Sequence, residues 1–165
     1  MTLIAEAKAT KVLETCRLHH LKLATVESCT GGLIIGSLTD IAGSSDVVEC
    51  GFFITYSNEA KNRLVGVPSN MIESFGAVSK QVAIAMAEGG IKHSRADIAV
   101  SVTGVAGPGG GSAEKPVGLV HIAVALANKS TLHFEARFGD IGRENVRHAT
   151  VERALDLVIE AINRV

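Results

Sequence analysis

The amino-acid sequence predicts an α/β fold, a three-layer α/β/α sandwich with a mixed, mainly parallel sheet that is closed by a C-terminal hairpin. Before Gly104, helical patterns alternate with short β-branched runs, an arrangement typical of parallel strands joined by helices. Near the C-terminus, only the residues ANKS separate two further β-type runs, which favours an antiparallel hairpin. A last amphipathic run then predicts a helix that covers the sheet.

Each element has its own local signal. Helical periodicity predicts helices at about 2–19, 33–41, 58–65, 80–91 and 144–165, with one short helical turn at 68–76. Alternation or β-branched content predicts strands at 21–26, 47–56, 97–104, 118–126 and 131–138. Gly43 to Ser45 is predicted to be a turn. Ser57 and Ser79 are predicted N-caps, and Gly66 is predicted to end the helix at 58–65.

The composition predicts one folded domain that spans residues 1–165, without an internal repeat or a linker. Hydrophobic residues make up 47% of the chain and charged residues 20%, which is typical of a globular protein. Aromatic residues reach only 4% and Trp is absent, so we expect an aliphatic core.

Charge and cysteine content exclude several classes of protein. The net charge of −1 argues against a general nucleic-acid binder, although a small local arginine cluster is compatible with it. The three cysteines, Cys16, Cys29 and Cys50, show no CxxC spacing, and free thiols in a reducing cytoplasm explain them. We see neither a signal peptide nor a membrane-spanning apolar run, so the sequence predicts a cytoplasmic protein without membrane partners. The six histidines form no HExxH motif, so we predict no metal.

The segment from Gly104 to Pro116, GVAGPGGGSAEKP, is the one low-complexity stretch. A Walker A loop would require Lys where Gly110 stands, and GxGxxG does not match either. Backbone N–H groups with little side-chain bulk after a strand could line an anion or a developing oxyanion. A flexible surface loop would explain the composition equally well.

The segment TVESCTGGLIIG, residues 25–36, places polar residues between a predicted strand and a predicted helix. Ser28 or Thr30 could be the N-cap of that helix, because hydroxyl oxygens accept hydrogen bonds from first-turn N–H groups. Strand-to-helix turns are also where α/β enzymes place nucleophiles and bind anions. Ser28 is therefore a candidate nucleophile, with capping left to Thr30. Cys29 is the more nucleophilic type, but adjacent side chains at such a turn point in different directions.

A serine nucleophile needs a base, and neither a Ser-His-Asp pattern nor a GxSxG elbow is visible. Lys61 is a candidate, one turn into the helix that follows the strand ending at Tyr56. It must be neutral to accept a proton, so its reference pKa of about 10.4 would have to fall by roughly three units. Ser112 and Lys115 form a rival SxxK pair, but GPGGG before it and Pro116 after it make the required helix doubtful.

Five sequence blocks together resemble one family. They are ESCTGG at 27–32, IAGSS at 41–45, GFFITYSNEAK at 51–61, GAVS at 76–79 and TGVAGPGGGSAEKPVG at 103–118. In this order they resemble the nicotinamide-nucleotide amidase family, also met as the C-terminal domain of the competence/damage-inducible protein CinA. The resemblance runs nearly end to end. Larger members carry an additional N-terminal domain, so this chain is expected to be the stand-alone form.

The resemblance implies an activity and a set of site residues. The expected reaction is hydrolysis of the carboxamide of nicotinamide mononucleotide (NMN) to nicotinic acid mononucleotide and ammonia, without a metal or organic cofactor. Ser28 would be the nucleophile, with Lys61 and Tyr56 as its activating partners, and Tyr56 could either relay the proton or orient Lys61. The expected substrate contacts are Thr30, Gly31, Thr103, Gly104, Gly107, Gly109, Gly110, Arg143 and Arg147.

One block departs from the family pattern. Members often show GDR followed closely by a second arginine, whereas this chain reads GDIGRENVR, so either Arg143 or Arg147 could meet the substrate phosphate. The expected partner is the small-molecule substrate NMN, without nucleic acid, and a homo-oligomer is compatible with the sequence. A non-catalytic nucleotide-binding or interaction module of the same fold is the alternative function, although the intact Ser28, Tyr56 and Lys61 favour an enzyme.

Overall fold

The computed structural model describes residues 2–52 and 55–164, which form an α/β fold around a five-stranded mixed sheet. The strands are β1 (Leu23–Val26), β2 (Val48–Phe52), β3 (Ile98–Gly104), β4 (Leu119–Leu126) and β5 (Leu132–Arg137), in the order β2-β1-β3-β4-β5. β1 pairs in parallel with β2 and β3, whereas β4 pairs antiparallel with β3 and β5. The α/β class and the mixed sheet are confirmed, but parallel and antiparallel pairings are equal in number.

Helices cover both faces of the sheet. They are α1 (Leu3–Leu18), α2 (Leu33–Thr39), α3 (Asn58–Val65), α4 (Ser69–Phe75), α5 (Lys80–Lys92) and α6 (Arg143–Ile162). α1, α2 and α6 pack together on one face, and α3, α4 and α5 pack together on the other. The expected three layers are therefore present, and β5 lies at one edge, joined to β4 by residues 127–131. None of these described helices is long and apolar enough to span a bilayer.

The core is aliphatic, as the composition predicts, and it differs between the two faces of the sheet. Toward α6, large β-branched side chains of β3 and β4 alternate inward, including Val100, Val102 and Ile122. Toward α5, the same strands present small alanines, such as Ala123 and Ala125. Burial of large aliphatic side chains on one face stabilises the fold, while alanines on the other let α5 approach the sheet closely.

Two predicted caps are confirmed. Ser57 Oγ accepts a hydrogen bond from the backbone N–H of Ala60 at 3.0 Å, and Ser79 Oγ accepts one from Val82 at 3.3 Å. Gly66 ends α3, also as predicted. These signals are local, because each hydroxyl bonds an N–H only three residues away.

The end of β2 differs from the sequence prediction. The predicted strand runs to Tyr56, but β2 ends at Phe52, and Thr55 and Tyr56 lie outside the strand. The predicted positions 53–54 lie outside the described residues. Thr55 stays bonded to the chain that follows β1, since its N–H and its hydroxyl both donate to the carbonyl oxygen of Glu27, at 3.2 and 2.9 Å.

Candidate active site

The turn after β1 is organised by the buried carboxylate of Glu27. One oxygen accepts hydrogen bonds from the Thr30 hydroxyl at 2.6 Å and the Ile34 N–H at 2.9 Å. The other accepts from the Ile35 N–H at 3.0 Å and the Thr25 hydroxyl at 3.3 Å. Glu27 is fully buried, and these donors satisfy both oxygens. The carboxylate therefore caps α2 from a position seven residues before Ile34.

This arrangement corrects the predicted capping by Thr30 or Ser28. Gly32 occupies the N-cap position, and no side chain there makes a cap hydrogen bond. Gly31 and Gly32 have φ angles of 59° and 99°, values at which a Cβ would be strained, so the glycine pair allows the sharp turn into α2. The Ser28 hydroxyl is consequently not used as a helix cap.

The side chains of Ser28 and Lys61 meet at the turn. Lys61 extends from the first turns of α3, is 1% exposed, and places Nζ 3.3 Å from Ser28 Oγ. The same Nζ donates to the carbonyl oxygens of Thr55 at 2.6 Å and Tyr56 at 3.2 Å. The structure thus brings together two of the three predicted catalytic residues.

The two carbonyl contacts orient the lysine amine. A carbonyl oxygen can only accept a hydrogen bond, so the Thr55 and Tyr56 carbonyls each take one N–H of Lys61. A neutral amine has two N–H groups and one lone pair, so the lone pair is left for the third neighbour, Ser28 Oγ. In this geometry a neutral Lys61 can accept the proton of the serine hydroxyl.

Burial favours that neutral form. It lowers the pKa of Lys61 from 10.5 to about 8, against a smaller opposing effect of the neighbouring Cys29. Burial also raises the pKa of the Cys29 thiol to about 12, so this side chain stays protonated at neutral pH. A protonated thiol is a poor nucleophile. The predicted preference for Ser28 over Cys29 is consistent with both shifts.

Tyr56 contributes its backbone rather than its ring to the lysine. The carbonyl oxygen of Tyr56 bonds Lys61 Nζ, whereas its phenol oxygen lies 3.1 Å from Nη2 of Arg143. Of the two predicted roles, this geometry fits orientation of Lys61 and not proton relay through the phenol.

The two candidate phosphate contacts occupy different places. Arg143, at the start of α6, lines the cleft beside Ser28 and donates to the carbonyl oxygen of Gly107 at 2.8 Å. Arg147 donates to the carbonyl oxygens of Cys29 and Thr30, at 3.1 and 3.0 Å. Arg143 therefore faces the cleft, whereas the Arg147 guanidinium holds the backbone of the turn.

The predicted contacts in the turn are also engaged within the protein. The Thr30 hydroxyl is buried and donates to Glu27, and the Gly31 N–H donates to the carbonyl oxygen of Ser28 at 3.0 Å. A Cβ on Gly31 would lie at an ordinary contact distance, 3.4 Å, from Nη2 of Arg147, so the positive φ angle and not lack of space favours glycine at this position.

The glycine segment contributes one end to the cleft. Thr103 and Gly104, at the end of β3, line it, and the Thr103 hydroxyl donates to the carbonyl oxygen of Ala77 at 2.8 Å. The carbonyl oxygen of Gly107 accepts a hydrogen bond from Arg143, which lines the cleft. Gly109 and Gly110 are exposed and do not belong to the cleft lining, so their predicted substrate contacts find no support in this geometry.

The rival SxxK pair does not form a dyad. Ser112 Oγ accepts from the backbone N–H of Lys115 at 3.0 Å, and the Lys115 ammonium instead donates to the carbonyl oxygen of Phe75. The segment 112–115 is a turn rather than a helix, so the lysine side chain is directed to the C-terminal end of α4. Favourable contact between an ammonium and a helix C-terminus explains that position.

The charges in the cleft are of one sign. Its polar lining includes the cations Lys61 and Arg143, and within residues 2–52 and 55–164 no carboxylate lines it. The remaining wall is small and apolar, formed by Ala77, Val78 and Ala106. Such a cleft suits a ligand with an anionic group and a small part that packs against the apolar wall. The same ranges contain no group of three or more His, Cys, Asp or Glu residues that could hold a metal ion.

Comparison with known proteins assigns the chain to a family. A family model described as the CinA C-terminal domain matches residues 5–162. The chain belongs to the CinA C-terminal domain family.

Relatives and solved structures of the CinA family agree with this assignment. A CinA-like protein of Synechococcus sp. is 49% identical over 154 residues, covering 93% of this chain but 36% of the relative. A CinA-like protein of Desulfovibrio desulfuricans is 47% identical over 150 residues, covering 89% of this chain and 35% of the relative. This chain therefore spans about a third of the length of the curated relatives that it matches.

Solved CinA-family structures share the whole fold. The crystal structure of the competence/damage inducible protein CihA from Agrobacterium tumefaciens is 52% identical, with a TM-score of 0.94 and 99% of each chain covered. A CinA superfamily protein from Escherichia coli is 29% identical, with a TM-score of 0.89, 95% of this chain covered and 90% of the other.

Sequence reasoning missed Glu27 and Thr55. A signal for the capping role of Glu27 was available. Glu27 follows a strand, and the first turn of the next helix contains no acidic residue of its own. No local signal indicated Thr55, because its role depends on contact with a residue 28 positions away.

Proposed function

We propose that this chain is a nicotinamide-nucleotide amidase, which hydrolyses the carboxamide of NMN to nicotinic acid mononucleotide and ammonia. The buried contact between Lys61 Nζ and Ser28 Oγ carries the proposal. A lysine kept out of water, with its two N–H groups held by carbonyl oxygens, is suited to act as a base toward a serine. The resemblance of the sequence blocks to the amidase family supplies the substrate.

The reaction proceeds through a covalent intermediate in this proposal. Lys61 accepts the proton of the Ser28 hydroxyl while Oγ attacks the carboxamide carbon and the carbonyl oxygen takes up negative charge. Lys61 then returns the proton to the leaving nitrogen, and ammonia departs from a seryl ester. Lys61, neutral again, deprotonates a water that attacks the ester, and the same proton passes from Lys61 to Ser28 Oγ as the bond between Oγ and the acyl carbon breaks. The product leaves as a carboxylic acid, which loses its proton to solvent. The sum is one water consumed, one ammonia released and the enzyme regenerated.

Arg143 is the proposed contact for the 5′-phosphate. Its guanidinium lies in the cleft, and its present partners are neutral, a carbonyl oxygen and a phenol. A phosphate is a stronger acceptor for a guanidinium than either of these groups. The small apolar wall beside Ser28 would contact the face of the pyridinium ring.

The direct test is ammonia release from NMN by the purified protein, with the product identified by chromatography. We expect stoichiometric ammonia and nicotinic acid mononucleotide, in amounts that exceed the enzyme concentration many times. Binding of NMN without turnover would instead indicate a non-catalytic nucleotide-binding module. Activity is expected to survive chelation by EDTA, since the proposed steps use no metal.

The pH dependence should follow the ionisation of Lys61. The base must be neutral, and its pKa is lowered to about 8, so kcat/KM should rise with pH and level off above this value. On the acidic side the slope should be about tenfold per pH unit, because the neutral fraction falls tenfold. Initial rates at low NMN concentration in buffers of constant ionic strength measure this. A flat profile across the same range would exclude Lys61 as the base.

Arg143→Ala should raise KM for NMN by about 10- to 100-fold, the value of one charge-assisted contact, with little change in kcat. KM for nicotinamide riboside should not rise in this variant, because the riboside lacks the phosphate. The riboside should also be a poor substrate of the wild type. Arg153→Ala is the matched control, since Arg153 lies on the same helix but bonds Glu160 outside the cleft. Equal losses for NMN and the riboside would contradict a phosphate contact at Arg143.

A further inference from the structure

We propose that Thr55 is a positioning residue that holds the Ser28–Lys61 pair in its reactive geometry, an inference that rests on the proposed function. Thr55 is fully buried and lies three residues after Phe52, the last described residue of β2. Its hydroxyl and N–H bond the peptide group that precedes Ser28, and its carbonyl oxygen bonds Lys61 Nζ.

The first contact fixes the chain that carries the nucleophile. The Thr55 hydroxyl and N–H both donate to the carbonyl oxygen of Glu27, at 2.9 and 3.2 Å. That carbonyl belongs to the peptide group joining Glu27 to Ser28, and a peptide group is planar. Two donors on one oxygen therefore set the plane from which the Ser28 side chain departs.

The second contact fixes the base. The Thr55 carbonyl oxygen accepts from Lys61 Nζ at 2.6 Å, the shortest of the three contacts of that nitrogen. Because one residue holds both the Ser28 peptide plane and Lys61 Nζ, the distance between nucleophile and base depends on the placement of Thr55. At 3.3 Å that distance is already long for a hydrogen bond, so a small displacement would separate the pair.

The Thr55 side chain has a specific part in this arrangement. Its hydroxyl is the shorter of the two links to Glu27, and Thr55 is not one of the residues that line the cleft. A substitution at Thr55 should therefore alter the reacting geometry without touching the substrate. Val preserves the β-branched shape and removes the hydroxyl, whereas Ser keeps the hydroxyl and removes one methyl group.

The test compares Thr55→Val with Thr55→Ser and with the matched control Thr150→Val. Thr150 is also fully buried, and its hydroxyl donates to the carbonyl oxygen of Val146 at 2.7 Å, within α6. We expect Thr55→Val to lower kcat for NMN by about 10- to 100-fold at unchanged KM, since small misplacements have effects of this size. Thr55→Ser and Thr150→Val should keep kcat within about threefold of wild type. Thermal unfolding shows which variants are folded, and Thr55→Ala replaces Thr55→Val if the latter is not.

A second readout does not depend on the substrate. The pKa of Lys61, followed by NMR of its side-chain carbon next to Nζ, should fall in Thr55→Val, because a displaced carbonyl no longer stabilises the ammonium form. It should be unchanged in Thr55→Ser and Thr150→Val.

The outcomes separate the positioning role from the proposed function. If the wild type releases no ammonia from NMN, the proposed function is wrong, and the Lys61 titration alone decides the role of Thr55. If the wild type is active, two results would overturn the positioning role. One is an unchanged kcat in Thr55→Val, and the other is a kcat in Thr55→Ser that falls as much as in Thr55→Val. If no activity is measurable, an unchanged pKa of Lys61 in Thr55→Val overturns the positioning role of Thr55.

Discussion

Ser28→Ala retains less than about a thousandth of the wild-type kcat for NMN if the proposed dyad performs the reaction. The substitution removes the atom that forms the covalent bond, and the Cys29 thiol, with its pKa raised to about 12, does not replace it. The free energy of unfolding should change little, because Glu27 and not Ser28 caps α2. The measurement is kcat by ammonia release, on protein shown to be folded by circular dichroism.

Lys61→Ala should lower kcat by a similar factor, and the double variant should be little worse than either single one. Residues that act as one unit are not additive, since removal of either abolishes the shared step. Ser112→Ala is the control, because Ser112 belongs to the rival SxxK segment and should leave kcat unchanged. A Ser28→Ala variant that keeps more than about a tenth of wild-type turnover, a barrier change under roughly 1.4 kcal/mol, would exclude Ser28 as nucleophile.

Glu27→Ala should lower the free energy of unfolding by about 3 kcal/mol or more, the largest stability effect that we expect at this site. The substitution leaves the N–H groups of Ile34 and Ile35 and two threonine hydroxyls without their acceptor in a buried place. Urea denaturation followed by circular dichroism measures the change, and kcat should fall as well, because the turn carries Ser28.

Glu59→Ala is the matched control for Glu27→Ala. Glu59 lies in the first turn of α3, is 83% exposed in its side chain, and forms only a surface pair with Arg63. Its loss should change the free energy of unfolding by less than about 0.5 kcal/mol. A Glu27→Ala variant within about 1 kcal/mol of wild type would contradict the capping role, since a cap alone contributes about that much.

Much of the fold was predictable because its signals are local. The caps at Ser57 and Ser79 and the end of α3 at Gly66 depend on bonds within one helical turn. The predicted strand end at Tyr56 was wrong for the opposite reason. Thr55 has the β-branched shape of a strand residue, and its hydroxyl bonds Glu27, which lies 28 residues earlier, a contact that no local pattern reveals.

The sequence predicted the two residues that we propose to react, but not the residues that hold them in place. Ser28 and Lys61 could be proposed from residue type and family resemblance, and the structure places them together. Whether Arg143 or Arg147 faces the cleft depends on how α6 packs against the turn. The Arg147 bond to Cys29 spans 118 residues of sequence, and periodicity carries no information about such a contact.

The burial of Lys61 has a consequence for the protein away from its substrate. A pKa of about 8 in the folded state, against 10.5 when the lysine is exposed, means that the unfolded chain binds this proton more tightly. Below about pH 8 the fold therefore carries a penalty on the order of 3 kcal/mol, which decreases as pH rises and vanishes above 10.5. The burial that favours a neutral Lys61 thus lowers the stability of the native state at neutral pH. We expect selection for activity and selection for stability to act in opposite directions at this residue.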